Sequence, residues 1–264
     1  MDWRSADYAL TGHHALEMEK SDWTDGHLPP GSEVEWSDVQ PYVRYVPRDV
    51  VLELAVRLSH WVPGNIMEFG VWRGTSTRIL RRTLSRCRLA EFGGPPKKIY
   101  ACDSFEGLPE KYEKVEVGSF ALAAPPRIRG VRIVKGYFQD SLTPKLAAEV
   151  KQVALASLDA DLYSSTACAL KWLTPLLGTG SLLLFDEFLG ENAAEKRAFD
   201  DWSRESGIRT VRVASFAREP AGRGRVLEER ALFQVVGTER INPIPAFWNW
   251  VMKVKRQLGV GFAP

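Results

Sequence analysis

From Asn65 onward, short apolar runs alternate with stretches of helical periodicity, and this alternation restricts the fold more than any other feature of the sequence. It is typical of a parallel sheet whose crossover helices cover both faces. The runs that predict strands are NIMEFGV, KKIYACDSF, VRIVKGYF, VALASLDADLY, SLLLFDEF, TVRVASF and ALFQVV. The last two are joined by REPAGRGRVLEER, which lacks helical periodicity, so we expect an antiparallel hairpin there. The pattern therefore predicts an α/β fold with a doubly wound, mostly parallel, seven-stranded sheet and a C-terminal antiparallel hairpin.

Helical patterns lie before and between these runs. They are PRDVVLELAVRLSHW, STRILRRTLSRC, PKLAAEVK, STACALKWLTPLL and ENAAEKRAFDDWSRES. We expect an N-terminal arm or lid over residues 1–46, the α/β domain over 47–240 and an amphipathic extension over 241–264. In that extension Phe247, Trp248 and Trp250 lie close to basic residues. We expect it to pack on the domain or on a second subunit of a homo-oligomer; a membrane-surface helix is the alternative.

The overall charge is nearly balanced. Lys and Arg number 35 against 33 Asp and Glu, so the net charge of +2 is far below what a phosphate-binding surface needs. We therefore expect no nucleic-acid partner. The sequence opens without the basic and apolar runs of a signal peptide, has no apolar stretch of membrane-spanning length, and has three cysteines without CxxC spacing. We expect a soluble, cytoplasmic protein without stable membrane association.

The first strand leads into a glycine-containing junction. Glu68, Gly70, Gly74 and Ser76 follow one another where a strand gives way to a helix. Glycines allow a sharp turn and close approach of the backbone to a ligand, and a small hydroxyl residue suits a helix start. The junction is of the kind that binds nucleotides, although glycine after a strand is also ordinary turn chemistry.

The next two strand ends also carry acids. Asp103, followed by Ser104, could accept both ribose hydroxyls of an adenosine cofactor, because ligands of α/β sheets bind beyond the carboxyl ends of the strands. Alternatively, Asp103 caps a turn. Phe138 precedes Asp140 and Ser141 after the third strand, so an adenine could stack there and donate its amino group to Asp140. The alternative is that Asp140 or Ser141 caps the helix that begins near Pro144.

The most informative acids follow the fourth and fifth strands. Asp159 and Asp161 are two apart, which predicts that they share a face, and Asp186 and Glu187 end the next strand. If the two strands are neighbours, Asp159 lies near Asp186, and carboxylates that close repel unless a proton or cation intervenes. A cluster of oxygen ligands suits Mg²⁺ or another hard divalent cation. The alternatives are solvated strand-end acids, or acids that bind a cofactor's ammonium directly.

The histidines offer no competing catalytic set. His13, His14 and His27 lie in the predicted arm, and His60 lies in a predicted helix. The core therefore shows neither a Ser/His/Asp set nor an HExxH signature. An arm folded over the site could deliver one of the histidines. We expect the general base among the carboxylates, with Asp161 as first candidate.

Five motifs in order resemble the macrocin O-methyltransferase (TylF/MycF/NovP) family of class I, Rossmann-like methyltransferases. They are MEFGVWRGTST, CDSFEGLP, VKGYFQDSL, LDADLYSST and LLLFDEF. The resemblance extends from about Pro47 to Trp202. It implies methyl transfer from S-adenosylmethionine to a hydroxyl of a small molecule, often a sugar of a natural product.

The resemblance also implies roles for particular residues. It implies Mg²⁺ bound by Asp159, Asp186 and Glu187, and a catalytic base at Asp161. We expect Gly70 and Gly74 near the amino-acid part of the cofactor. The family usually has Asp-Asp where this chain has Asp186-Glu187, so the geometry of a metal site there can differ.

Two other classes of function remain at this point. An NAD-dependent oxidoreductase would share the glycine junction and Asp103, but the junction does not read GxGxxG. Nicotinamide chemistry also gives no reason for the acids that follow strands four and five. A noncatalytic protein that binds S-adenosylmethionine is the second alternative.

Overall fold

The chain is described from a computed structural model. It describes residues 46–89, 94–112, 114–189, 193–217 and 229–237. The predicted C-terminal extension, and all but the last residue of the predicted arm, lie outside these residues. His13, His14 and His27 therefore lie outside them too.

The described residues form the predicted seven-stranded sheet, with strand order β3-β2-β1-β4-β5-β7-β6. The strands are β1 (Asn65–Phe69), β2 (Ile99–Asp103), β3 (Val131–Lys135), β4 (Val153–Leu158), β5 (Leu177–Leu189), β6 (Arg209–Ala217) and β7 (Glu229–Gly237). The first five pair in parallel, whereas β7 lies antiparallel between β5 and β6. The predicted sheet class and its terminal hairpin are confirmed.

The five predicted helices are present: α1 (Arg48–Ser59), α2 (Thr75–Leu89), α4 (Pro144–Val150), α5 (Tyr163–Leu173) and α6 (Ala194–Ser206). The single turn α3 (Phe138–Ser141) is not predicted, because the run VRIVKGYF predicts a strand through Phe138, whereas β3 ends at Lys135. Thr143 caps α4, because its side chain accepts a hydrogen bond from the Leu146 N–H at 3.2 Å. In α6, Ala198 and Trp202 are buried four residues apart, so one stripe of the helix packs on the sheet.

The strand registers bring the carboxyl ends of the parallel strands to one edge. Phe69 of β1 pairs with Cys102 of β2 and with Leu158 of β4, and Leu158 in turn pairs with Phe185 of β5. Each of these residues is buried, which fixes the register because a one-residue slip would turn the apolar side chains to the wrong face. The residues that follow them therefore meet at one edge.

The core lies on both faces of this sheet. Leu52 and Val56 of α1 pack with Ile66 and Leu155 on one face, and Phe185 packs with Phe199 of α6 on the other. No helix among the described residues is both long and apolar enough to cross a membrane. The cysteines are free thiols, with Cys102 buried and Cys168 half-buried.

Candidate active site

A cavity of about 720 Å³ lies at the carboxyl edge of the parallel strands. Its volume is in the range of small-molecule and cofactor sites. Among its lining residues are eight of the acids, glycines and serines that the sequence singles out. These are Gly70, Ser76, Asp103, Ser104, Asp159, Asp161, Asp186 and Glu187. Glu68, Gly74, Asp140 and Ser141 are not among the residues that line it.

Gly70 is required by the way β1 passes β4. Its φ is +88°, and a Cβ added to it would lie 1.8 Å from the carbonyl oxygen of Asp159. A hydrogen bond holds the two backbones close together, because the Asp159 N–H donates to the Phe69 carbonyl at 2.9 Å. The glycine therefore serves the approach of two backbones, and it lines the cavity at the same point.

The carboxylate of Asp103 organises the same loop. Its Oδ2 accepts the N–H groups of Val71 at 2.7 Å and Trp72 at 2.8 Å, and its Oδ1 accepts that of Phe105 at 2.7 Å. A carboxylate offers about four acceptor positions. Asp103 therefore does act in turns, the alternative raised from the sequence, and it retains room for about one further donor from the cavity rather than for two ribose hydroxyls.

Glu68 lies behind the cavity wall. Its side chain is buried, and Oε2 accepts a hydrogen bond from the Thr77 hydroxyl in α2. Burial raises the pKa of Glu68 to about 7, against the opposing effect of the Ser76 and Thr77 hydroxyls. Glu68 therefore ties β1 to the start of α2, and its charge state changes near neutral pH.

The end of β3 departs from the arrangement we expected. Tyr137, Phe138 and Gln139 line the cavity, whereas Asp140 is exposed. The hydroxyl of Ser141 donates to the Gly136 carbonyl at 3.1 Å. Neither residue caps α4, since Thr143 does. Aromatic side chains beside the cavity are present, and an adenine contact to Asp140 stays a prediction.

The guanidinium of Arg48 connects the ends of β4 and β5. Its Nη2 donates to Asp159 Oδ2, and its Nε lies 3.2 Å from Asp186 Oδ1. Removal from water, and then the charge of Asp186, raise the pKa of Asp159 to about 6, while Arg48 acts in the opposite direction. The expected closeness of Asp159 and Asp186 is present, with an arginine as their shared cation.

Two further contacts engage Asp186 and Glu187, the acids near the carboxyl end of β5. Arg230 of β7 donates from Nε to Asp186 Oδ1 at 2.7 Å, and both side chains are less than a tenth exposed. Tyr112 donates its hydroxyl to Glu187 Oε2 at 3.1 Å. Each expected metal ligand therefore has a protein partner.

The residues present do not fit a divalent cation. Within the ranges that the structure describes, no group of three His, Cys, Asp or Glu side chains converges as metal ligands do. Arg48 lies against Asp159 and Asp186, the two carboxylates that would have to share the ion, and Arg230 adds a second positive charge. A divalent cation would meet two arginines there, which disfavours it electrostatically.

Glu195 of α6 fixes the loops that carry the acids. Its side chain is fully buried, and its two oxygens accept the N–H groups of Ala160 at 3.2 Å and Glu187 at 3.0 Å. Burial raises the pKa of Glu195 well above its usual value. One side chain thus connects the segment after β4 to the end of β5.

Asp161 lines the cavity from the segment after β4. The strand ends at Leu158, and Asp161 has a φ of +56°, so the two-residue strand period does not apply to Asp159 and Asp161. The argument that placed them on one strand face was wrong, although both line the cavity. A left-handed backbone outside glycine is uncommon, and Asp and Asn tolerate it best.

Several residues of the site carry no motif signal. They include Arg48, Tyr112, Glu195 and Arg230, which approach the site from elements distant in sequence. Trp72 and Phe120 line the cavity at its rim, 43% and 48% exposed, with ring centroids 5.7 Å apart. Trp72 lies inside the motif MEFGVWRGTST, and this position is the only feature of the sequence that could have indicated its place in the site.

Most of the described part of the chain is similar to known proteins. The family model described as macrocin-O-methyltransferase (TylF) matches residues 52–119 and 128–213. The matched residues include every strand end that borders the cavity. Arg48 and Arg230 lie outside them.

Individual relatives agree with the family match. One relative, from Streptomyces olivaceus, is an 8-demethyl-8-(2,3-dimethoxy-α-L-rhamnosyl)-tetracenomycin-C 4'-O-methyltransferase. It is 31% identical over 152 residues, which are 50% of this chain and 55% of that protein. Demethyldecarbamoylnovobiocin O-methyltransferase of Streptomyces niveus is 27% identical over 149 residues, covering 48% and 54%. This chain thus spans about half the length of these curated relatives. The solved structure of the O-methyltransferase NovP has a TM-score of 0.52 at 23% identity, covering 71% of this chain and 80% of that one, which shows a shared fold.

Proposed function

Because the chain belongs to the macrocin O-methyltransferase (TylF) family, we propose that it is an enzyme that transfers a methyl group from S-adenosylmethionine to a hydroxyl group of a small molecule. The proposal rests on one observation, the overlap between the family match and the cavity. The family match covers the strand ends that form the 720 Å³ cavity, and the cavity is lined by acids at those ends. Asp161, the expected general base, is one of these acids.

We propose a glycosylated natural product as the acceptor, with the methyl group transferred to a sugar hydroxyl. The names of the relatives support this class, since one acts at the 4' oxygen of a rhamnosyl tetracenomycin and another methylates demethyldecarbamoylnovobiocin. The exposed rings of Trp72 and Phe120 at the rim suit the apolar face of such a molecule.

The cofactor would lie along the ends of β1, β2 and β3. Asp103 has room for about one ribose hydroxyl, and Phe138 and Tyr137 offer aromatic surface to the adenine. Its amino-acid end would lie over Gly70, near Asp159. Bound there, S-adenosylmethionine supplies a methyl group already activated by its sulfonium.

The residues of the chain then align the acceptor and take its proton. Methyl transfer is an in-line displacement, so positioning of the acceptor oxygen accounts for much of the rate. We propose Asp161 as the general base, because it lines the cavity and has a backbone fixed in an uncommon conformation. Glu195 holds the adjacent Ala160 N–H, which keeps Asp161 in place.

The family resemblance implies magnesium at Asp159, Asp186 and Glu187, but the residues present do not fit a divalent cation. Since Arg48 already bridges the two aspartates, we derive no step through a metal. A cytoplasmic location, a homo-oligomeric state and the absence of a nucleic-acid partner stay predictions. The sequence boundaries at residues 46 and 240 are retained as the proposed limits of the catalytic domain.

Ligand binding and turnover test the proposal in two steps. S-adenosylhomocysteine should raise the unfolding midpoint of the full chain, because a ligand that binds the native state stabilises it, and NAD should not. Radiolabelled S-adenosylmethionine should then transfer its methyl group to a member of a panel of glycosylated natural products. Stabilisation by NAD alone would support the oxidoreductase alternative and contradict the proposal. Binding of S-adenosylhomocysteine without transfer to any acceptor would favour the noncatalytic alternative.

A further inference from the structure

We propose that the guanidinium of Arg48 takes the place of a divalent metal in this site, so that the acidic cluster works with a built-in organic cation. This rests on the proposed function only in taking the cavity as the methyl-transfer site. The family resemblance points to a metal at the same carboxylates. The contacts of this chain point to the arginine.

The first observation is the bridging geometry. A metal shared by neighbouring strands would have to contact Asp159 after β4 and Asp186 near the carboxyl end of β5. Arg48 contacts both: Nη2 donates to Asp159 Oδ2, and Nε lies 3.2 Å from Asp186 Oδ1. A planar guanidinium suits this role, because it presents several N–H donors in a fixed arrangement to two acceptors at once.

The second observation is the charge of the surrounding residues. Asp186 also accepts from Arg230 Nε at 2.7 Å, and this pair is almost fully buried. The two aspartates therefore face two guanidinium groups and form a neutral set. Arginine does not lose its proton in a protein, so an incoming metal would leave an excess of positive charge.

The third observation concerns the remaining expected ligand. Glu187 accepts a hydrogen bond from the Tyr112 hydroxyl at 3.1 Å, and its backbone N–H is held by Glu195 at 3.0 Å. Both contacts engage Glu187, and neither involves Arg48. The described residues thus assign each acid a protein partner and bring no three of them together.

The position of Arg48 is fixed by the packing of helix α1. It is the first residue of α1, and the Val50 and Val51 N–H groups donate to the Pro47 carbonyl at 3.0 and 3.1 Å. Val51 and Leu52 are buried in the core, so the start of the helix has one position relative to the sheet. The arginine therefore belongs to the packed fold, and it lines the cavity from there.

A guanidinium and a metal supply different chemistry. The guanidinium neutralises the carboxylates and donates hydrogen bonds, but it has no vacant orbital with which to coordinate an acceptor oxygen. Acceptor activation would then depend on alignment and on Asp161, with Arg48 as a positioning residue for the acidic loops.

Titration of the full chain with Mn²⁺, in the presence of saturating S-adenosylhomocysteine, tests the proposal without an acceptor. Mn²⁺ is a hard cation with Mg²⁺-like ligand preference, and free Mn²⁺ is measured by electron paramagnetic resonance. We expect no stoichiometric site in the native protein. Arg48→Gln should create one, with affinity at least about tenfold higher than that of the native protein, because two carboxylates lose their cation. Arg82→Gln, which removes an exposed ion pair with Glu53, is the matched control and should bind no Mn²⁺.

Two results would overturn the proposal. One is binding of one Mn²⁺ per native chain, and the native titration alone decides this even if the variant does not fold. The other is an Arg48→Gln variant that binds S-adenosylhomocysteine normally yet gains no Mn²⁺ site. Adding Asp159→Asn to Arg48→Gln should remove the gained site. Since S-adenosylhomocysteine binding is measured separately, failure of the metal result is distinguishable from failure of the proposed function.

Discussion

The two halves of the cavity edge are held together in different ways. On the side of β1 and β2, the donors are backbone N–H groups: Asp103 accepts three of them, from Val71 and Trp72 after β1 and from Phe105 in its own loop. On the side of β4 and β5, side chains from distant elements dominate. Arg48 reaches Asp159 across 111 residues of sequence, and Arg230 reaches Asp186 across 44.

The contrast separates two ways of building a site. The first half is a backbone scaffold built by two sequence motifs, MEFGVWRGTST and CDSFEGLP, which contain the acids Glu68 and Asp103. The second half is an electrostatic network whose parts become adjacent only when α1, α6 and β7 dock on the sheet. We expect substitutions in the first half to alter cofactor binding, and substitutions in the second half to alter turnover.

The largest expected effect is that of Asp161→Asn in the second half. If Asp161 is the base, turnover should fall by about 10²- to 10⁴-fold, the usual contribution of a general base. Asparagine tolerates the left-handed backbone at this position, so the unfolding free energy and S-adenosylhomocysteine affinity should stay near those of the native protein. Initial rates and calorimetry measure these quantities.

Asp49→Asn is the matched control, because Asp49 also carries a carboxylate at the cavity wall. It should leave turnover nearly unchanged. Native turnover by Asp161→Asn would remove Asp161 from the mechanism.

The next effect concerns stability and pH through Glu68 in the first half. Its pKa in the folded chain is raised to about 7, chiefly by burial. Because the pKa is raised on folding, the contribution of the Glu68 carboxyl to stability is fully present below about pH 4.5. It is lost as the pH rises to about 7, since the unfolded chain ionises first. Glu68→Gln cannot ionise, so its unfolding free energy relative to the native protein should rise by about 3 kcal/mol over that range.

Urea unfolding at several pH values measures this difference. Glu106→Gln, a substitution of an exposed glutamate on the neighbouring loop, should follow the native profile. Parallel pH profiles for the native protein and Glu68→Gln would show that Glu68 keeps an ordinary pKa.

Asp103→Asn should weaken cofactor binding. An amide loses one acceptor oxygen and the negative charge, and a hydrogen bond to a charged group contributes about 1.5–3 kcal/mol. The dissociation constant for S-adenosylhomocysteine should therefore rise by about 10- to 150-fold. Asp140→Asn provides the comparison, since Asp140 is exposed and absent from the cavity wall. An equal loss in both variants would place the adenine against Asp140, as the sequence motif suggests.

The smallest expected effect is that of Glu195→Gln. The amide has one acceptor oxygen, so either the Ala160 or the Glu187 N–H group would lose its hydrogen-bond partner. Because a neutral amide costs less to bury than a carboxylate, part of this loss of stability is offset. We expect the unfolding free energy to fall by about 0.5–1.5 kcal/mol, with kcat lowered more than S-adenosylhomocysteine affinity. Glu205→Gln at the exposed end of the same helix should change neither quantity. A loss confined to cofactor affinity would contradict the division between the two halves.

The sequence was a better guide to the first half than to the second. Period and turn residues placed all seven strands, and the acids Asp103, Asp159 and Asp186 were found because parallel strands end at one edge. The partners of these acids could not be found in the same way. Arg48 and Glu195 are chosen by how α1 and α6 pack, and nothing within a few residues of either indicates its contact. The strand argument for Asp161 failed because the chain leaves the sheet at Leu158.

The position of β7 has a consequence for the order in which the protein can fold during synthesis. β7 lies between β5 and β6, although it is the last described strand to be made. Until the ribosome has released residues 229–237, the free edge of β5 exposes unpaired backbone groups beside Leu182, Leu183 and Leu184. The nascent chain thus carries an unpaired strand edge until these residues emerge, and a chain truncated after Ala217 should aggregate.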